Sequence, residues 1–228
     1  MSRVATTLAA ALSLWASAIP PIWVGLTPAV LIGINVLSVR DANAQSESAV
    51  DWFDSGLEKA KRGDLQGAIA DWTKAIEMYP QYAYAYYNRG RARRELGDLQ
   101  KAIADYTKAV EINPNYAWAF YNRGNIRDEL KDYQGAISDY TKAVEIDPQF
   151  FEAYGNRGYS KDKLGDSTGA IADFTKAIKI NPKDEISYSN RGLTRKSQGN
   201  MKGACSDWRK AAALGNNTNA ATWFREEC

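Results

Sequence analysis

Histidine is absent from all 228 residues. That removes the commonest general base, the Ser–His and Cys–His nucleophile pairs, and most zinc and iron sites. Neither charge sign dominates. Lysine and arginine total 29, aspartate and glutamate 27, and the net charge is +2. Basic residues are interleaved with acidic ones, which gives no reason to expect nucleic acid as a partner. No phosphate cradle or metal-ligand cluster appears, and no loop is long enough to build a reactive site. The sequence therefore reads as non-catalytic, with no cofactor and no metal.

What is present is a repeat. Pro80, Pro114, Pro148 and Pro182 stand 34 residues apart. Residues 81–114 read QYAYAYYNRGRARRELGDLQKAIADYTKAVEINP, and 115–148 repeat them almost word for word. A fixed period of this length signals a solenoid whose units touch only their neighbours. Five units follow: 49–82, 83–116, 117–150, 151–184 and 185–218. In the second, one helix is expected over about Ala83–Leu96. Gly97-Asp98 then breaks the chain, with Gly97 in the left-handed conformation and Asp98 capping the next helix. That helix runs from about Leu99 to Ile112 and stops at Asn113-Pro114. Gly63-Asp64 and Gly165-Asp166 repeat the break, and Lys131-Asp132 and Gly199-Asn200 are variants.

Small residues form two columns, Gly56, Gly90, Gly124, Gly158 and Gly192 on first helices, and Ala68, Ala102, Ala136, Ala170 and Ala204 on second helices. Large rings stand beside them. Trp52, Tyr86, Phe120, Tyr154 and Tyr188 belong to first helices, and Trp72, Tyr106, Tyr140, Phe174 and Trp208 to second helices. One hairpin cannot bury both sets of rings, whereas a stack of hairpins can.

The first 44 residues differ. Apolar stretches 4–19 and 22–39 flank Pro20-Pro21, and Ala42-Asn43-Ala44 precedes Gln45. Residues 1–44 read as an export signal cut after Ala44. Cleavage after Ala18, or retention of residues 4–39 as a membrane anchor, are the competing readings. Under each, residues 45–48 are a short linker and the repeats are delivered across a membrane, into the periplasm or an equivalent lumen.

The aromatic–Gly…Ala…aromatic…Ala…Pro columns over 49–218 resemble the tetratricopeptide repeat, as in exported bacterial members of that family. Asn216 stands at the proline place of the fifth unit. The resemblance implies an all-α, right-handed superhelical solenoid of five helix-turn-helix repeats plus a C-terminal capping helix at 219–228. First helices would line a concave groove that binds a protein or peptide partner.

Two columns depart from the family. Ser55, Arg89, Arg123, Arg157 and Arg191 replace its leucine before the glycine. Lys59, Arg93, Arg127, Lys161 and Arg195 replace its tyrosine. Core-facing cations need partners, and Asp71, Asp105, Asp139, Asp173 and Asp207 supply one per unit. Arg89 is expected to pair with Asp71 of the preceding unit or Asp105 of its own. Ser55 lacks an arginine while Asp71 remains, which leans towards pairing across units.

The resemblance places Asp54, Asn88, Asn122, Asn156 and Asn190 along the groove, where amides can satisfy an extended peptide backbone. Tyr84, Tyr87, Trp118, Tyr121 and Tyr159 enrich the same face, and Arg91 and Asn125 complete the expected set. Arg91, Arg94 and Lys163 lie near Glu95, Asp128, Glu129 and Asp162, so the mixed signs do not specify an acidic ligand. The two-basic, two-asparagine clamp of chaperone-type repeats is not evident: Phe53 and Leu57 hold two of its positions. Finally, Cys205 and Cys228 lie about equally far from the turn at Gly215–Thr218 on antiparallel helices. In an exported protein this spacing suggests a disulfide that staples the terminal cap, with two buried thiols as the alternative.

Overall fold

A computed structural model describes residues 48–215 and 218–228. The expected leader, residues 45–47 and the Asn216 position lie outside the described residues. The second of the chain's two units, Ser46–Cys228, holds all the described residues. These form eleven helices and no strand: α1 Ala49–Lys61, α2 Leu65–Met78, α3 Ala83–Glu95, α4 Leu99–Ile112, α5 Ala117–Glu129, α6 Tyr133–Ile146, α7 Phe151–Lys163, α8 Ser167–Ile180, α9 Glu185–Ser197, α10 Met201–Leu214 and α11 Thr218–Glu227. Each helix packs on the one before and the one after. First helices also touch one another, α5 with α7 and α7 with α9, which puts them on the shorter, inner wall of the stack.

The hairpin turns follow from local chemistry. Gly63, Gly97, Gly165 and Gly199 have φ between 77° and 83°, the left-handed region that stops a helix without steric cost. Lys131 takes that place in the third unit with φ 63°. The next residue caps the following helix where a glycine sits three positions on. Asp64, Asp132, Asp166 and Asn200 accept from the backbone N–H of Gly67, Gly135, Gly169 and Gly203. Asp98 does not cap as expected. Its position three on is Lys101, whose ammonium takes the carboxylate at 2.6 Å. Between units, Asn113, Asp147 and Asn181 stand before proline and accept from the N–H two residues on, which closes the turn.

The core is a row of second-helix rings, and Trp72, Tyr106, Tyr140, Phe174 and Trp208 are all buried. The glycine column makes room for them. A Cβ on Gly124 would stand 2.8 Å from Tyr140 Cε1. First-helix rings are treated differently from the sequence expectation. Tyr86, Phe120, Tyr154 and Tyr188 are only half buried. An arginine of their own helix lies over each, with Arg123 5.5 Å from the Phe120 centroid. The stack buries one ring per unit fully and roofs the other with a cation.

Helix α11 closes the end. Trp223 packs on Trp208 with centroids 5.7 Å apart, and Lys196 pairs with Glu227 at 2.7 Å. Cys205 and Cys228 are bonded, with their Cα atoms 5.8 Å apart, so the expected staple is present.

Candidate protein-binding wall

The cations at core positions resolve into a structural ladder. Arg89 donates to Asp105 of its own hairpin through Nε at 3.1 Å and Nη2 at 2.8 Å. Arg123–Asp139, Arg157–Asp173 and Arg191–Asp207 repeat this bidentate pair. The lean towards Arg89–Asp71 pairing across units is therefore corrected. Asp71 is satisfied inside its own hairpin, by the Ser55 hydroxyl at 2.6 Å and the Lys59 ammonium at 2.7 Å. A second cation, Arg93, Arg127, Lys161 or Arg195, completes each later carboxylate.

What does cross units is the third arginine donor. Nη1 of Arg89, Arg123, Arg157 and Arg191 donates to Thr73, Thr107, Thr141 and Thr175 of the preceding hairpin at 2.9–3.2 Å. Each threonine hydroxyl in turn donates to a carbonyl of its own helix. Sequence reasoning missed this column. The signal was there: threonine recurs in four units, and Arg209 replaces it in the fifth.

On the inner wall the expected groove residues separate into two groups. Tyr87 packs on Tyr116 at 4.7 Å and Tyr106 at 5.8 Å. Tyr121 packs on Phe150 at 4.8 Å and Tyr140 at 6.0 Å. These two rings join neighbouring hairpins. Their hydroxyls accept from the next unit's asparagines, Asn122 Nδ2 at 3.0 Å and Asn156 Nδ2 at 3.3 Å. Asn156 also donates to Asn125 Oδ1 at 2.8 Å, and Asn125 accepts there from the Tyr140 hydroxyl as well. Asn88 and Asn122 donate to the carbonyls of Tyr84 and Trp118. The amide donors of Asn122 and Asn156 are thus engaged within the stack. The Asn190 backbone carbonyl accepts from Thr194, and its side chain is half buried.

The second group is open to solvent and consists of Tyr84, Trp118, Tyr159 and Arg91. Tyr84 and Trp118 belong to a column that the sequence reading followed only in part. Val50, Tyr84, Trp118 and Ile186 occupy one position in four units, and they are exposed by 55%, 55%, 50% and 63%. Glu152 holds the remaining place. Burial pushes the Tyr87 and Tyr121 phenols above their ordinary value, against the hydrogen bonds from Asn122 and Asn156, so both hydroxyls stay neutral near pH 7.

Among the described residues no helix is long and apolar enough to cross a membrane. The stretch 4–39, expected to be a signal core or anchor, lies outside them. No group of acidic, cysteine or histidine side chains among the described residues is placed to hold a metal ion.

Models of the tetratricopeptide repeat match residues 117–150 and 151–184 and 72–104, and a further TPR-repeat model matches 90–130. No curated protein matches the chain. Among solved structures, MamA is similar at 26% identity and a TM-score of 0.67, over 70% of this chain and 93% of that one. MamA 41-end from Desulfovibrio magneticus RS-1 is similar at 22% identity and 0.68, over 73% and 94%. YrrB, described as a TPR protein with an unusual peptide-binding site, is similar at 21% identity and 0.71, over 83% and 97%. Paired helices at a fixed period, glycine set against a buried ring, and these matches agree that the chain belongs to the tetratricopeptide repeat family.

Proposed function

We propose that this chain is a non-catalytic protein-interaction scaffold that holds an extended segment of a partner along the wall of first helices. The observation that carries this reading is the exposed column Val50, Tyr84, Trp118 and Ile186. An apolar side chain at one height in four of the five units is what an extended partner can meet repeatedly, and exposed rings are favoured anchors. The asparagine carbonyls beside the column can accept from a peptide backbone. YrrB, with its described peptide-binding site, supports the reading by likeness of fold. An extracytoplasmic compartment fits the leader pattern of 1–44 and the Cys205–Cys228 bond, since disulfides persist in oxidising compartments.

A second reading has its own observation. Leu96, Leu130 and Leu164 are exposed at three successive hairpin turns, each as the C-cap of a first helix, eight residues beyond that helix's asparagine. An assembly subunit that docks by this edge of leucines would leave the inner wall empty.

Affinity capture with the full chain separates the two. Trp118→Ala with Asn122→Ala is expected to lose the captured partner, and serine at the three edge leucines is expected to keep it. The reverse pattern would replace the groove reading with the edge reading.

A further inference from the structure

The four arginines of α3 fall into two pairs. Arg89 and Arg93 share the Asp105 carboxylate. Arg91 and Arg94 form no ion pair among the described residues, and Glu95 beside them pairs with neither. Between α3 and α5, Arg91, Arg94, Glu95, Tyr106 and Asn122 line a cavity of about 280 Å³.

Tyr106 contributes a second, independent feature. Its side chain is fully buried, and its hydroxyl has no hydrogen-bond partner. One unit later the same hydroxyl, on Tyr140, donates to Asn125 Oδ1 at 2.8 Å. The residue in the place of Asn125 one unit earlier is Arg91, and a guanidinium offers donors only. The second unit has therefore exchanged an acceptor for a cation. It leaves a buried donor and two cations around one cavity, an arrangement that costs stability unless an anionic acceptor arrives. Burial, reinforced by the neighbouring Tyr87 and opposed by Arg94 and Arg91, pushes the Tyr106 phenol far above its ordinary value. The hydroxyl is thus a donor throughout the neutral range.

We propose that this cavity anchors a carboxylate, the side chain of an aspartate or glutamate in the segment held along the wall, which accepts from Arg91, Arg94 and the Tyr106 hydroxyl. The inference rests on the groove reading and gives it a ligand chemistry. Glu95 at the rim opposes more densely charged anions and favours a single carboxylate. A neighbouring cavity of about 300 Å³ has Leu57, Leu65 and Trp72 on its apolar side and shares Arg91 and Glu95 with the first, with Lys61 and Asn88 as further polar lining. The preferred segment therefore carries an acidic residue beside an apolar one. The mixed charges of the sequence sort themselves in three dimensions: half the arginines of α3 are already neutralised, and the other half face the cavity.

The test is selection from a displayed library of random decapeptides on the full chain, followed by affinity measurements on one selected peptide and its Glu→Gln or Asp→Asn counterpart. The expected result is enrichment of acidic–apolar pairs, with the acidic peptide binding about tenfold or more tighter than its amide. Arg91→Gln with Arg94→Gln, and separately Tyr106→Phe, should erase that difference while the amide peptide binds as before. Because Tyr106→Phe removes only an unpartnered hydroxyl, it keeps the test readable if the arginine variants fold poorly. Peptides that bind without acidic preference yet depend on Trp118 would overturn the carboxylate anchor and leave the groove reading standing. Selection of no peptide would overturn both. Inorganic phosphate, titrated against the same protein, is the second arm; if phosphate alone occupies the cavity, the peptide assignment fails.

Discussion

Arg123 and Asp139 face each other across the third hairpin through two hydrogen bonds, Nε to Oδ2 at 3.0 Å and Nη2 to Oδ1 at 2.7 Å. Arg127 adds a third contact at 2.9 Å from a more exposed position. The three side chains should not be equal in cost. Asp139→Ala leaves a buried guanidinium without its acid and is expected to lose about 3–5 kcal/mol. Arg127→Ala, which leaves Arg123 in place, should lose about 1 kcal/mol or less. Urea unfolding of the two variants gives the order, and equal losses would mean that the pair does not carry the hairpin.

How much of this was legible beforehand depends on range. Helix boundaries were readable because glycine, aspartate and proline act on their own neighbours. The helix expected over about Leu99 to Ile112 is α4. That each core cation needs an acid was also readable. Which acid was not, because Asp71 and Asp105 sit on consecutive second helices that flank α3, and Ser55 pointed the wrong way. Lys59, the first member of the second cation column, holds Asp71 together with Ser55. The groove was legible as a face and not as individual side chains. Tyr84 and Tyr87 share one helix and both touch Tyr116, but only Tyr87 also packs on Tyr106 and is half buried, while Tyr84 stays exposed.

Lys131 is the one described non-glycine residue with positive φ, at a turn where four other units have glycine. Lys131→Gly is expected to stabilise the protein by about 0.5–1 kcal/mol, because it relieves a side chain from the left-handed region. Gly124→Ala should do the opposite and cost about 1–3 kcal/mol, since its Cβ would press on the Tyr140 ring. Thermal melts of both variants check the signs.

Reduction of the Cys205–Cys228 bond, which joins residues 23 apart, should cost about 3 kcal/mol by loop entropy. The loss should be local. Hydrogen exchange is expected to rise in α10 and α11 on adding reductant and to stay unchanged in α3–α6. Uniform acceleration along the stack would show that the staple supports the whole array.

Two carboxylates set opposite pH trends. Burial raises Asp71, but the hydrogen bonds from Lys59 and Ser55 and the charges of Lys59 and Lys74 outweigh it, and the net shift is down. Its contribution is therefore full above the ordinary aspartate value of about 3.9 and lost as pH falls through the depressed folded value. Asp128 is shifted up, by burial first, against a 2.5 Å hydrogen bond from Ser160 and the charge of Lys163. The folded state prefers its neutral form, so its contribution weakens as pH rises through the window above the ordinary value. Relative to wild type, Asp71→Asn should be destabilised near pH 7 and converge towards it in acid. Asp128→Asn should match or exceed wild-type stability near pH 7. Urea midpoints across pH 2–7 test both, and parallel curves for all three proteins would refute the assignment.

Each arginine of the ladder reaches sixteen residues back to a threonine and sixteen forward to an aspartate. Excision or duplication of one whole period among the second to fourth units preserves both reaches, and each ladder arginine finds an equivalent threonine and aspartate at the new junction. An insertion of any other size between an arginine and either mate strands a donor in the interior. Growth and shrinkage of this array are thereby quantised, and the same bonds that hold neighbouring hairpins together also proofread the length of the chain.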